Sequence, residues 1–148
     1  MIFLHLLLGL ILGKLFGHTL LFVIASMLPD IDHLYIIIKH KLFPLKRTIQ
    51  VLKKEEEHNI RFKTPLMHSL LGLLLCSGLF FISIQNVQLT LFFSLAYCSH
   101  LLLDWPDIDK KQYLYPLKRE FSGFLPIWSK TEQILTILAS LIIIFLYL

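Results

Sequence analysis

The sequence predicts an all-α integral membrane protein, a bundle of four to five helices with a metal site at their cytoplasmic ends. The composition is the first reason, because 56% of the 148 residues are hydrophobic and only 16% are charged, far from the average of soluble domains. The second reason is that carboxylates and imidazoles lie at the ends of long apolar runs, where an unpaired charge is costly. The length suits one domain, so we expect residues 1–148 to form a single membrane-embedded unit.

Four apolar stretches predict the helices of this bundle: residues 2–28, 66–84, 87–103 and 134–148. The second and third are near the minimum length for crossing a hydrocarbon core of about 30 Å, so we expect both to cross nearly upright. Gln85 and Asn86 lie between them and predict a tight turn. The two helices therefore form an antiparallel hairpin whose outer ends share one side of the membrane.

The first stretch is too long for one upright helix, and two arrangements are open. Folded at Gly17 and His18, it has two arms of about 18 Å each, which bring His5 beside Asp30. As a single tilted helix it leaves His5 roughly 37 Å from Asp30. The choice between these arrangements decides whether His5 can join a site near Asp30.

Two connectors contain every Lys and Arg residue except Lys14: residues 34–65 and residues 105–130. By the positive-inside rule we expect both connectors to be cytoplasmic. The positive charge also attracts anionic lipid head groups, at about 1 kcal/mol per basic residue near the surface. In the second connector, aromatic residues such as Trp105 and Trp128 indicate a segment that lies along the membrane surface.

Six carboxylates and imidazoles fall at the cytoplasmic ends of the predicted helices: Asp30, Asp32, His33, His68, His100 and Asp104. His100 and Asp104 are four residues apart, so they share one helix face. At one membrane level these groups would repel or stay unpaired unless a cation lay among them, so we expect a divalent metal. Imidazole and carboxylate ligands without thiolate favour zinc, with manganese and iron as alternatives.

The predicted metal ligands are His5, Asp30, His68, His100 and Asp104. His5 belongs to this set only if the N-terminal stretch folds back on itself. Asp32 and His33 are the predicted catalytic residues. Asp32 acts either as a base or as the partner that orients a ligand histidine through its second ring nitrogen, and His33 is suited to either role.

The motifs that contain these residues occur in a fixed order: His5 to Gly9, Leu28-Pro29-Asp30-Ile31-Asp32-His33, His68-Ser69, Tyr97 to Asp104, and Tyr115-Pro116-Leu117. In order and rough spacing they resemble the YdjM family of inner-membrane proteins. The resemblance implies a metal-dependent hydrolase. The His100 and Asp104 pair also resembles a ligand pair of zinc-dependent phospholipase C and the P1-type nucleases, all-helical enzymes that cleave phosphoesters with zinc.

The chain departs from the family pattern in two places. Members commonly have a His-Arg-Gly-x-Thr-His-Ser segment, and Lys63 stands here at the position of its first histidine. Either a ligand is missing, which leaves fewer metals, or His58 substitutes for it. After the His100 motif, Pro106-Asp107-Ile108-Asp109 replaces the usual Thr/Gly turn and repeats the sequence of residues 29–32. We expect its two carboxylates to be either extra metal ligands or hydrogen-bond acceptors for the residues that bind the metal. Lys63 itself either meets a substrate phosphate or anchors a helix end.

The expected activity is hydrolysis of a phosphoester, of a phospholipid or a related molecule, at the cytoplasmic membrane face by metal-activated water. The alternative is a non-catalytic metal-binding membrane protein with a structural or regulatory role. A transporter ranks last because the polar groups gather at one face. The expected partners are the lipid bilayer and an anionic lipid or phosphoester substrate, and no motif of the chain indicates nucleic-acid binding.

Overall fold

The computed structural model describes residues 2–52, 60, 62–126 and 129–148. The α-helices are α1 (Ile2–Phe16), α2 (Thr19–Met27), α3 (Ile31–Lys39), α4 (Leu45–Leu52), α5 (Leu70–Ile84), α6 (Val87–Asp104) and α7 (Lys130–Tyr147). A short 3-10 helix, Leu28–Asp30, joins α2 to α3. Isolated bridges but no strands occur among the described residues. The prediction of an all-α protein is confirmed.

Three helical stretches are long and apolar enough to cross a membrane: Thr19–Lys39, Val87–Asp104 and Lys130–Tyr147. With the shorter apolar helices α1 and α5, the described residues contain five apolar helical stretches, which agrees with the predicted four to five helices. Large apolar side chains, Phe145 among them, stay exposed on the outer faces of these helices. A bilayer covers such faces, so the prediction of an integral membrane bundle is confirmed.

The first apolar stretch is a helical hairpin. α1 and α2 meet at Gly17, whose φ of +74° is the left-handed conformation that favours glycine. The two helices pack so closely that a Cβ on Gly9 would lie 2.4 Å from the hydroxyl oxygen of Ser26. Of the two arrangements open to the sequence, the folded one is therefore found, and His5 reaches the end of the hairpin where Asp30 lies.

α5 and α6 form the second hairpin, as predicted. Gln85 ends α5 in the left-handed conformation, with φ of +53°. The Asn86 side chain then caps α6 by accepting a hydrogen bond from the backbone N–H of Leu89 at 3.0 Å. Midway along the pair, the hydroxyls of Ser77 and Ser94 are 2.8 Å apart. This hairpin places the start of α5 and the end of α6 on one side.

Small side chains allow α2 to pack against α6 in the centre of the bundle. Ala25 of α2 and Ala96 of α6 are completely buried, together with Phe22 and Tyr97. The Tyr97 hydroxyl donates a 2.6 Å hydrogen bond to the carbonyl of Met67, just before α5. Because close packing, not hydrophobic transfer, holds helices together in lipid, these contacts fix the relative positions of the helix ends.

The expected first connector, residues 34–65, contains the last six residues of α3 and all of α4. A separate small core forms there from Ile36, Leu42, Val51 and Phe62. The second connector begins with an ordered loop, residues 105–126. Isolated β-bridges in this loop pair Asp107 with Leu125 and Lys111 with Phe121. A Cβ on Gly123 would lie only 2.1 Å from the Pro106 carbonyl oxygen, so this loop is folded tightly against the end of α6.

Candidate metal centre

Four distant parts of the chain bring the five predicted metal ligands together: His5, Asp30, His68, His100 and Asp104. α1 supplies the first, the 3-10 helix the second, the turn before α5 the third, and α6 the last two. Each of the five residues is at most 7% exposed. Charged or polar groups are buried at this density only when they satisfy one another or hold an ion.

Four ligand atoms of this set, one each from Asp30, His68, His100 and Asp104, lie close to one another. The Nε2 atom of His68 lies 3.5 Å from both His100 Nε2 and Asp104 Oδ2. Asp30 Oδ1 is 3.8 Å from each of the two imidazole nitrogens. His100 Nε2 and Asp104 Oδ2 are 3.7 Å apart. Ligands at about 2.0–2.2 Å from a tetrahedral zinc ion lie about 3.3–3.6 Å from one another, so these five separations are within or slightly above the range for such an ion.

Hydrogen-bond partners turn both histidines so that Nε2 faces the other ligand atoms. The Nδ1–H of His100 donates to the Ser26 carbonyl at 2.7 Å, which leaves the lone pair on Nε2. On His68, Nδ1 lies 3.2 Å from Asp32 Oδ2, and that same oxygen accepts the backbone N–H of Thr64 at 2.6 Å. A carboxylate or carbonyl behind each ligand histidine is the usual arrangement in metal sites.

The carboxylates of Asp30 and Asp32 favour a positive charge at His68. Burial alone would lower the pKa of His68, but its hydrogen bonds to Asp30 and Asp32 raise that pKa to about 9. An environment that stabilises a positive charge on the imidazole equally favours a bound cation at the same place. The raised pKa of His68 and the spacing of the ligand atoms therefore both favour a cation at this place.

His5 completes the centre from the α1 side. Its Nε2 lies 3.1 Å from Asp104 Oδ1, the carboxylate oxygen that does not face His68. The His5 ring stacks on His100 with a centroid separation of 3.7 Å. Together with His100 and Asp104 it forms a second group whose ligand atoms all lie within 4.8 Å of one another. The fold-back of α1 thus places His5 where it either holds Asp104 or contacts an ion directly.

His33 is the most accessible of the clustered imidazoles, with 21% of its side chain exposed. Its Nδ1 lies 3.6 Å from Asp30 Oδ1, and its Nε2 lies 3.8 Å from Asp32 Oδ1. Asp32, His33 and His68 form a third group of ligand atoms within 4.8 Å. Both predicted catalytic residues therefore adjoin the predicted ligands.

Lys63 pairs with carboxylates inside the site, an arrangement that neither of its two expected roles included. Its ammonium lies 2.9 Å from Asp104 Oδ2, 2.9 Å from Asp107 Oδ2 and 3.5 Å from Asp109 Oδ2. Burial alone would lower the pKa of Lys63, but these three carboxylates outweigh burial and raise it. Lys63 therefore remains charged and faces inward, where it forms ion pairs with Asp107 and Asp109. His58, the proposed substitute ligand, lies outside the described residues.

The backbone of the 105–126 loop is held in place by a second lysine. The Lys111 ammonium donates to the backbone carbonyls of Asp107 at 2.9 Å and Asp109 at 3.1 Å. Burial and the nearby Lys63 charge lower the pKa of Lys111 to about 8. Because Lys111 uses backbone oxygens, the two carboxylates stay directed toward Lys63.

A family model, the YdjM inner membrane protein model, matches residues 1–148, the whole chain. The chain belongs to the YdjM inner membrane protein family. Comparison with curated proteins and with solved structures gives no match. The resemblance found in the motifs is therefore confirmed, and a YdjM family member with three candidate spans is a protein of the inner membrane.

Proposed function

We propose that this YdjM family member is a metal-dependent hydrolase that cleaves a phosphoester, of a phospholipid or a related molecule, at the cytoplasmic membrane face. The observation that carries this proposal is a set of four buried nitrogen and oxygen atoms in which each imidazole nitrogen lies 3.5–3.8 Å from the other three atoms. Imidazole and carboxylate donors in this spacing favour zinc, with manganese and iron as alternatives.

Asp30, His68, His100 and Asp104 would hold the ion, and His5 either adds a ligand or fixes Asp104. When bound, a divalent ion supplies Lewis acidity and makes water ionisable at neutral pH. The chemistry of hydrolysis then needs a group that accepts the proton of the attacking water and an environment that excludes bulk solvent. The burial of the ligands provides the second requirement.

His33 is the proposed base. It has a partly exposed imidazole, and the carboxylates of Asp30 and Asp32 lie within 3.6–3.8 Å of its two nitrogens. A neutral imidazole accepts a proton from water, and the adjacent carboxylates stabilise the positive charge that results. Asp32 has a second task, since its other oxygen contacts His68 Nδ1 and orients that ring.

The basic residues support the cytoplasmic location of the site. α3 leads from His33 to Lys39, and Lys41, Lys46 and Arg47 follow within the described part of the connector. By the positive-inside rule this side of the chain is cytoplasmic. A basic surface next to the site also attracts an anionic phosphoester or lipid head group.

A second candidate function is a non-catalytic metal centre that ties the helix ends together, and the burial of the ligands favours it. The five proposed ligands are at most 7% exposed. Closed protein coordination is typical of structural metal sites, whereas catalytic sites keep an open position.

One experiment separates these functions. The full chain is purified in detergent without chelator, its metal content is measured by elemental analysis, and a panel of phosphomonoesters, phosphodiesters and phospholipids is assayed. The variants are His68→Ala and His100→Ala, with His40→Ala as the matched control because His40 is an exposed imidazole outside the cluster.

The hydrolase proposal expects one tightly bound ion, turnover of at least one substrate, and loss of both in His68→Ala and His100→Ala but not in His40→Ala. Bound metal with no turnover, and a lower melting temperature in the two ligand variants, supports the structural role instead. Wild-type protein without stoichiometric metal contradicts both functions. His33→Gln tests the base: it should keep the metal and lose turnover by about 100-fold or more.

A further inference from the structure

One oxygen atom of Asp104 faces both the proposed ion position and the ammonium of Lys63. Asp104 Oδ2 lies 3.5 Å from His68 Nε2 and 3.7 Å from His100 Nε2, on the side of the proposed ion. The same atom lies 2.9 Å from the Lys63 ammonium. The carboxylate therefore joins the proposed metal position to the position that the Lys63 nitrogen occupies.

The Lys63 position has the ligands of a cation site. Three carboxylate oxygens, from Asp104, Asp107 and Asp109, lie 2.9, 2.9 and 3.5 Å from the nitrogen. Asp107 is 1% exposed, and its Oδ1 has no hydrogen-bond partner among the described residues. Divalent ions bind carboxylate oxygens at about 2.0–2.2 Å, so the same oxygens could close on a metal by moving about 1 Å or slightly more.

An ammonium differs from every metal ligand in one respect that decides its role. Protonated Lys has three donors and no lone pair, so it cannot coordinate an ion and instead competes with one. Its side chain is only 10% exposed and lies among the three carboxylates. A cation that belongs to the chain itself therefore already occupies this position.

We propose that Lys63 is a built-in cation at the second position of a carboxylate-bridged centre, so that this chain binds one divalent ion, and that removing its side chain opens the position to a second. The inference rests on the proposed metal centre at His68 and His100. It also assigns a role to the acidic repeat, because Asp107 and Asp109 serve the Lys63 position and not the first ion.

The test measures metal stoichiometry in the detergent-purified full chain, with Mn²⁺ as the probe. Lys63→Ala removes both the charge and the bulk, Lys63→Met removes the charge but fills the space, and Lys63→Arg keeps the charge. Lys118→Ala is the matched control, because Lys118 is exposed on the same connector as Asp107. Equilibrium dialysis with elemental analysis gives the number of ions per chain, and electron paramagnetic resonance reports whether two Mn²⁺ ions are magnetically coupled.

We expect one Mn²⁺ per chain in the wild type, Lys63→Arg, Lys63→Met and Lys118→Ala, and two in Lys63→Ala. The two ions should give an exchange-coupled spectrum, since centres that share a carboxylate lie about 3.5–4 Å apart. Adding Asp107→Asn to Lys63→Ala should reduce the count again to one. Two ions in the wild type, or one in folded Lys63→Ala, would overturn the inference.

Lys63→Ala leaves three buried carboxylates without their ammonium, so its folding is checked by thermal unfolding with and without added Mn²⁺. If the variant is unstable, Mn²⁺ should raise its melting temperature more than that of Lys63→Met; equal responses would contradict the inference. Failure of this proposal is distinguishable from failure of the proposed function. Wild-type protein that binds no ion removes the metal centre itself, whereas one ion in both wild type and Lys63→Ala removes only the role of Lys63.

Discussion

The same tetrapeptide, Pro-Asp-Ile-Asp, occurs twice and has different partners in the two places. At residues 29–32 it spans the junction of the 3-10 helix with α3, and its carboxylates face imidazoles, chiefly His68. At residues 106–109 it lies in the loop after α6, and its carboxylates face the ammonium of Lys63. The comparison teaches that a local acidic motif does not determine its own partner; the rest of the fold decides whether an imidazole or an ammonium lies against it.

The two copies differ chemically because an imidazole partner has a nitrogen lone pair, whereas an ammonium partner has none. A neutral imidazole offers a nitrogen lone pair to an ion that the adjacent carboxylates attract, so carboxylate and imidazole act together as ligands. A protonated lysine donates to the carboxylates from the place that an ion would take, and it has no lone pair to offer an ion. One copy therefore forms a candidate metal centre, and the other forms a buried ion-pair cluster, joined to the first through Asp104.

The largest expected effect comes from removing a ligand on the imidazole side. His100→Ala should lower metal affinity by more than about 100-fold, because loss of a direct ligand exceeds the 10–100-fold typical of residues behind the ligands. It also leaves the buried Ser26 carbonyl without its donor, so the melting temperature should fall. Ser99→Ala is the control, since the Ser99 hydroxyl donates only to the carbonyl of Ala96 within α6. Unchanged metal content in His100→Ala would place the ion elsewhere.

An intermediate effect is expected from Asp32→Asn in the first copy of the repeat. The variant keeps the shape of the side chain but weakens the contact to His68 Nδ1, so metal affinity should fall about 10–100-fold with the stoichiometry unchanged. Isothermal titration with Zn²⁺ under a competing chelator measures the change. If Asp32→Asn abolishes binding completely, Asp32 is a direct ligand and the first copy contributes two ligands instead of one.

The smallest effect on the metal is expected from Asp107→Asn in the second copy. Lys63 keeps Asp104 and Asp109 as partners, so metal affinity should change by less than about 3-fold, within the range of weak electrostatic effects. Stability should fall by about 1–3 kcal/mol, the cost of weakening a partly buried hydrogen bond between charged groups. Chemical denaturation in detergent micelles tests this. A large loss of metal affinity in Asp107→Asn would mean that both copies serve the same ion.

The sequence predicts most of the fold and much of the site, for identifiable reasons. Apolar length and the Gln85-Asn86 turn determine the second hairpin, because a long apolar run ended by polar turn residues has few alternative structures in lipid. The spacing of His100 and Asp104 predicts their common face, since helix geometry is independent of the rest of the chain. These local features hold regardless of tertiary context.

What the sequence left open depends on long-range packing. Gly17 is compatible with either a hairpin or a tilted helix, and only the close packing of Gly9 against Ser26 selects the hairpin. The inward orientation of Lys63 depends on the 105–126 loop, more than forty residues along the chain, whose position follows from the end of α6. A basic residue near a helix end is usually solvent-exposed, so composition alone favours the opposite orientation for Lys63.

Because α1 and α2 form a hairpin, the number of residues between His5 and Asp30 determines where the His5 side chain lies relative to the other ligands. Each residue added to α1 between Gly17 and His5 turns His5 by about 100° around the helix axis and moves it by about 1.5 Å. A single insertion would therefore direct the imidazole away from Asp104 and toward lipid, although composition and hydropathy would hardly change. Arm length at the N-terminus is thus as strict a requirement for this site as the identity of the ligands, and it is one that no residue-by-residue substitution scan would reveal.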